Sequence, residues 1–381
     1  MRFFEFTKVW ANCKLKDVST LIGGGTPSTK EKAYWKGTIP WISSSDIQEN
    51  NVFNINKTRF ISENAISHSA TKICPVNTIL IVSRVGVGKI AISDSELCTS
   101  QDFTNLVNYK INKYFLLYLM QQILKKKLNT SQGTSIKGIT VKEISEFKIY
   151  FPQIKEQEKI GQLFKLLDKR IEAQSKIIKD LELYKKSIYN IIFKQFNKSQ
   201  TIKLADVLIN YNIRTKKDKE YPILSSTMSG IHFQNEYFSK QTASESTLGY
   251  KIIPTNYATY RSMSDTGEFH FNIQDVVDFG IVSPAYPVFN CNSTFNLRFV
   301  LFLLNNYIGV INQLKALKQG GTRLALPFST LCKLEIPNID LKTQEKIING
   351  ISIIKSKIQI ETEIEEQLKK QKKYLLSNMF I

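Results

Sequence analysis

The sequence predicts an α+β protein built twice: two mixed α/β domains separated by two long antiparallel coiled-coil helices, with the halves related by an internal pseudo-two-fold repeat. Three observations predict it. Gln157-Glu158-Lys159-Ile160 returns as Gln344-Glu345-Lys346-Ile347, 187 residues further on, and that separation holds without a gap from Gln132/Gln319 to Phe193/Phe380. Two stretches of about forty residues carry apolar residues at a sustained three-and-four spacing, the mark of a helix with one buried stripe. The segment ahead of each stretch mixes short β-type runs with Gly, Pro and Asn turn signals.

Upstream the repeat is looser but stays in order. Lys14-Leu15 and Asp17-Val18 pair with Lys203-Leu204 and Asp206-Val207, Pro40 with Pro222, Arg84 with Arg261, and the run from Tyr114-Phe115 with that from Phe299-Val300. One ancestral unit, a globular half followed by a helix, is present twice.

Taken in order, residues 1–150 form the first α/β domain. Gly23-Gly24-Gly25-Thr26-Pro27 is a loop, Thr78 to Val82 a strand, and Gly86-Val87-Gly88 a turn. Tyr114 to Leu128 is an amphipathic helix ending in Lys125, Lys126 and Lys127, where cations suit the helix dipole. Residues 151–197 hold the first long helix, Lys155 to Gln195, free of Pro and striped by Ile160, Leu163, Leu167, Ile171 and Ile178. Asn197-Lys198-Ser199-Gln200 is the linker. The second α/β domain occupies 198–335, and 336–381 hold the second long helix, Lys342 to Phe380. Each helix spans roughly 60 Å, more than a globular half needs for its own core, so both read as spacers. Gln174 and Glu361 fall at the same heptad position. In an antiparallel pair they can meet and fix register, or simply be partly exposed.

Lys+Arg 52 against Asp+Glu 33 gives a net charge of +19, which favours a polyanionic partner without choosing among DNA, RNA and an acidic membrane. Five cysteines without close pairs and three scattered histidines offer no zinc spacing. The absence of a signal peptide and of any apolar run near membrane-spanning length predicts a reduced, soluble, cytoplasmic protein with no membrane partner. The longest apolar run, Phe299 to Leu304, reads as a buried helix segment.

Catalytic equipment is missing. Gly86-Val87-Gly88-Lys89 departs from a phosphate-binding loop at both ends, with Ser83 and Ile90 where Gly and a hydroxyl belong. No Pro-Pro exists for a base-amino methyltransferase motif. Asp94 and Glu96, the nearest approach to a nuclease cluster, lie beside Ser residues with no companion Lys and read as a solvated loop, and His68 and His270 have no adjacent nucleophile or base. No catalytic, cofactor-binding or metal-binding residue is expected.

The candidate DNA contacts are polar loops that recur in both halves. Arginine is sparse in this Lys-rich chain, yet Arg84 follows Thr78 at the same distance as Arg261 follows Thr255, and both run into turns. From such a place a guanidinium can make paired bonds to guanine or phosphate; the bland alternative is an ion pair with Asp102 or Asp265. Lys89 closes the first turn, and Tyr260 and Ser262 flank Arg261. Gln132, Thr134, Ser135 and Lys137 recur as Gln319, Thr322 and Arg323, hydrogen-bonding residues on Gly-rich loops. Ser43, Ser44 and Ser45 recur as Ser225, Ser226 and Thr227.

With these residues in hand, the chain resembles the specificity subunit of type I restriction-modification systems. The resemblance rests on Lys14-Leu15-Lys16-Asp17-Val18, Gly25-Thr26-Pro27-Ser28, Trp35-Lys36-Gly37, Pro40-Trp41-Ile42 and Arg84-Val85-Gly86-Val87-Gly88. It continues through Phe151-Pro152 to Gln157-Glu158-Lys159-Ile160, and again from Pro337 to Gln344. It implies two target-recognition domains, each reading half of a split duplex target, and two spacer helices packed antiparallel. By the same resemblance, the partners are two methyltransferase (modification) subunits and two restriction/translocase subunits. S-adenosylmethionine, ATP and magnesium belong to those partners, and the chain itself is non-catalytic. The second half lacks the triple Gly and the Gly-Val-Gly turn, a divergence expected if the two halves read different sequences. The alternative is a stand-alone nucleic-acid-binding coiled-coil scaffold without restriction partners.

Overall fold

The computed structural model describes all residues except 1, 50, 131–137, 197–198, 238–245, 318–323 and 381. By internal packing the chain divides into Met1–Ile177 with Glu361–Ile381, and Ile178–Ile360. Both cuts fall inside a long helix, Ile154–Phe196 or Leu341–Met379, so each unit holds one α/β half and part of both helices.

In the first unit four antiparallel strands lie in the order Thr20–Gly23, Phe103–Val107, Ile79–Val82, Ile90–Ile92. Strand residues alternate between faces. Ile79 and Ile81 therefore pack on the helix Lys113–Thr130, among Phe115, Leu119 and Ile160, while Leu80 and Val82 face a second core with Ile42, Cys74 and Leu97. That second core belongs to a smaller sheet in which Ile39–Ile42 runs parallel to Leu97–Thr99. Gly24 and Gly25 let the chain pass close beneath it: a Cβ on Gly24 would lie 2.1 Å from the Ser100 carbonyl oxygen.

The second unit repeats this plan. Leu208–Tyr211, Val288–Cys291, Ala258–Tyr260 and Phe271–Ile273 form the antiparallel sheet in the same order, packed on the helix Leu297–Asn306. No single described helix is long and apolar enough to cross a membrane, and the apolar run in Leu297–Asn306 is buried in this core.

The repeat extends to individual hydrogen bonds. Gln157 accepts from the Asn112 backbone N–H at 2.8 Å and donates to the Pro152 carbonyl; Gln344 accepts from Asn296 N–H at 2.7 Å and donates to the Ile339 carbonyl. Asn112 and Asn296 each cap the helix that follows. These caps align Asn112 with Asn296, so Phe115 falls on Phe299 and Tyr114 on Arg298, one position from the pairing read in the sequence. Leu15 N–H bonds to the Phe147 carbonyl and Leu204 N–H to that of Leu334, both at 2.9 Å. Left-handed Asn77 and Asn256, with φ of 66° and 63°, open equivalent strands.

Within the first unit the two helix segments run antiparallel: Phe164 stacks on Phe380 at 5.6 Å, Asp168 pairs with Lys372 at 2.6 Å, and Gln174 reaches Glu361. Gln174 donates to the Glu361 carboxylate and, at 3.0 Å, to its backbone carbonyl. Both are buried, so the polar heptad position does join the helices. It joins a residue to its own repeat mate. In the second unit Phe193 stacks on Phe302 at 5.2 Å, and Ile347 and Ile351 close the same core.

Candidate nucleic-acid interface

Two of the recurring loops meet in the first unit, and the residues that follow the third pack against them. The turn carrying Arg84 closes through left-handed Gly86 and Gly88, and its Lys89 donates to the Ser44 carbonyl at 3.3 Å, tying it to the Ser43–Ser45 loop. Gly138 and Ile139, emerging from the third loop, lie against the same turn: Ile139 N–H bonds to the Ser83 carbonyl at 2.7 Å. Gln132, Thr134, Ser135 and Lys137 themselves lie outside the described residues.

Arg84 is exposed and makes no ion pair or hydrogen bond with a described residue. Asp102 instead accepts from the Ser100 hydroxyl at 3.2 Å. The serines are less free. Ser43 accepts from Arg59 at 2.6 Å, and its hydroxyl lies 3.0 Å from Asp46; of the three only Ser45 is exposed, its hydroxyl 2.9 Å from that of Ser43.

In the second unit Leu326 N–H bonds to the Ser262 carbonyl at 2.7 Å, the counterpart of the Ile139–Ser83 bond. This match, with Asn77 over Asn256, aligns Ser83 with Ser262. Arg84 therefore corresponds to Met263 and Arg261 to Val82, so equal spacing from Thr78 and Thr255 does not make the two arginines equivalent. Arg261 is exposed, without an ion pair to a described residue, and its charge opposes the upward push of burial on the Tyr286 phenol. The Ser262 hydroxyl donates to the Ala285 carbonyl at 2.8 Å.

Tyr260 leaves the candidate surface: it is fully buried, and its hydroxyl donates to the Leu326 carbonyl at 2.9 Å. Strand alternation points it, with Ala258, into the core. Ser225 and Ser226 are buried in a hairpin with Gly230–Phe233, Ser226 accepting from Asn272 at 2.8 Å, and Thr227 donates within the hairpin turn. In the first half Ser43 caps a short 3₁₀ turn that contains Ser44 and Ser45, so sequence equivalence has not preserved local structure. Gln319, Thr322 and Arg323 lie outside the described residues.

Two side chains escaped the sequence reading. Arg59 lies 4.7 Å over the Trp41 ring and pairs with Asp46, fixing the shape of the Ser43–Ser45 loop. Asp94 has a lysine after all: Lys57 pairs with it and holds its carboxyl below the usual range, first through their hydrogen bond.

Residues 7–183 match the family model of the type I restriction modification DNA specificity domain. The MjaIX specificity subunit of Methanocaldococcus jannaschii is 34% identical over 225 residues, 57% of this chain and 50% of that one. The EcoR124I/EcoR124II specificity subunit of Escherichia coli is 29% identical over 201 residues, 49% of each. The chain thus spans about half the length of these curated relatives. The solved type I restriction-modification S subunit from M. genitalium has the same fold, with a TM-score of 0.62 over 100% of this chain and 99% of that one at 13% identity. By its matched domain over residues 7–183, its relatives and its fold, the chain is similar to the type I restriction-modification specificity subunits.

Proposed function

We propose that each α/β half reads one part of a bipartite duplex target, that the helix pair sets the unread gap, and that the helices hold two methyltransferase and two restriction/translocase subunits. The chain supplies the address and the partners supply the chemistry, with S-adenosylmethionine, ATP and magnesium bound by them. The observation that carries this reading is the hydrogen-bond-level duplication of the recognition half, which offers a duplex two similar surfaces. The charge of +19 supplies phosphate affinity, and Arg84 and Arg261 supply uncommitted guanidinium groups. On the helices, Tyr184, Ile191, Ile353 and Tyr374 leave 57 to 69% of their surface exposed, apolar area suited to partner subunits.

Inserting four residues into each helix adds roughly 6 Å, close to two base-pair rises. Mapping of methylated sites should then find the same half-sites across a gap about two base pairs longer. Changed half-sites with an unchanged gap would refute the spacer role.

A further inference from the structure

The two units differ sharply at one repeated position. In the first, Asp168 is buried, accepts from the Tyr118 hydroxyl at 2.7 Å and pairs with Lys372 at 2.6 Å. The helix repeat places Lys355 where Asp168 stands and Lys185 where Lys372 stands; the aligned caps place Phe302 at Tyr118 and Arg298 at Tyr114. The second unit keeps the cation but has replaced its carboxylate with another cation. Among the described residues the one ion pair here joins Lys185 to Glu182 at 2.5 Å, one turn away on the same helix, and neither Lys355 nor Arg298 has a carboxylate partner. Lys355 and Arg298 reach solvent. Crowding around the Lys355 ammonium, then the charges of Lys185 and Arg298, hold its pKa below the usual lysine range.

We propose that Lys355, Lys185 and Arg298 form a docking surface for an acidic side chain of a protein partner, which supplies from outside the carboxylate that Asp168 supplies within the first unit. This rests on the reading of the helices as a partner-binding element and gives that element a chemistry. A partner carboxylate relieves like-charge repulsion on entering, so charge complementarity favours it. Duplex phosphate is the less favoured occupant. Arg298 lines a groove of about 300 Å³ with Asn256, and Asn256 and Arg261 bracket the strand Ala258–Tyr260. At about 3.3 Å per residue this strand puts Asn256 roughly 17 Å from the Arg261 end, where the candidate DNA loop lies.

The test uses the full chain, a short fluorescent poly-glutamate peptide and duplex DNA at low salt. Lys355→Glu and Arg298→Glu should each weaken peptide binding by at least about tenfold, while duplex affinity stays at the wild-type value. Lys355→Asp should also raise the melting temperature, because it rebuilds inside the second unit the ion pair of the first; Lys355→Gln, of similar size, should give an intermediate loss of peptide affinity if a charge-reversed variant fails to fold. Equal peptide affinity in wild type and variants would overturn the proposal, as would a parallel loss of duplex affinity, which would make the cluster a phosphate contact. A wild-type chain that binds the peptide but shows no sequence preference on DNA would leave this surface standing and sink the specificity reading instead.

Discussion

Removing the Lys372 ammonium gives the most quantitative test of how the first unit is held together. Its side chain is 9% exposed and that of Asp168 7%, so Lys372→Met leaves a buried carboxylate with, among the described residues, only the Tyr118 hydroxyl as a hydrogen-bond partner. Breaking a buried pair from one side costs about 3–5 kcal/mol, since the remaining charge is neither solvated nor compensated. At about 2–4 °C per kcal/mol for a unit of this size, the first unit's transition should fall by roughly 6–20 °C in scanning calorimetry. Asp168→Asn should cost a comparable amount by stranding the ammonium. The triple variant Tyr118→Phe, Asp168→Leu, Lys372→Met removes every polar group at once and should lie near wild type, because replacing a whole buried ion pair with apolar groups is often neutral. The second unit already has Phe302 at the Tyr118 position. Single variants costing under about 1 kcal/mol, or a triple variant as costly as the sum of the singles, would refute the argument that burial makes this network interdependent.

Other outcomes follow from single side chains. Arg84→Ala should abolish or alter reading of one half-site in methylation mapping and leave the other intact; an unchanged preference at both removes Arg84 from the interface. Tyr260→Phe deletes a buried hydroxyl and leaves the Leu326 carbonyl without that donor, so it should cost about 1–3 kcal/mol in a urea melt with no change in DNA binding. The Glu146 carboxyl is held at about 2, first by its hydrogen bond from Lys14 and then by that from Lys16. A depressed carboxyl stabilises the fold above its ordinary value of 4.5, and that contribution is lost as the pH falls toward about 2. Glu146→Gln should therefore flatten the acid limb of a stability-versus-pH curve across that window, and an unchanged slope would show that the two lysines do not matter.

The duplication and the long helices were legible because they are periodic. Helix spacing and the constant 187-residue separation survive without gaps, and they put Gln174 and Glu361 at one heptad position, where of the two readings left open the structure shows the meeting. Across the α/β halves, changes in loop length break the constant separation. Backbone conformation and hydrogen bonds restored the register there: the left-handed Asn77 and Asn256, the carbonyls of Ser83 and Ser262, and the caps Asn112 and Asn296. Spacing along the chain could not show that Arg84 and Arg261 are two positions out of step. Tyr260 was assigned to the surface because an aromatic beside an Arg reads alike facing in or out; its parity with Ala258 on a strand was the usable signal. Arg59 went unread because its partners Trp41, Ser43 and Asp46 meet it only through the fold, with no local motif to announce them.

Selection from a randomised duplex library by the full chain, with and without the methyltransferase subunits proposed to bind it, followed by sequencing of the bound pool, tests the bipartite reading most directly. The bound pool should show two short motifs separated by a degenerate gap of constant length, one of them lost in the Arg84→Ala variant. A single uninterrupted motif, or two motifs whose separation varies freely, would contradict it.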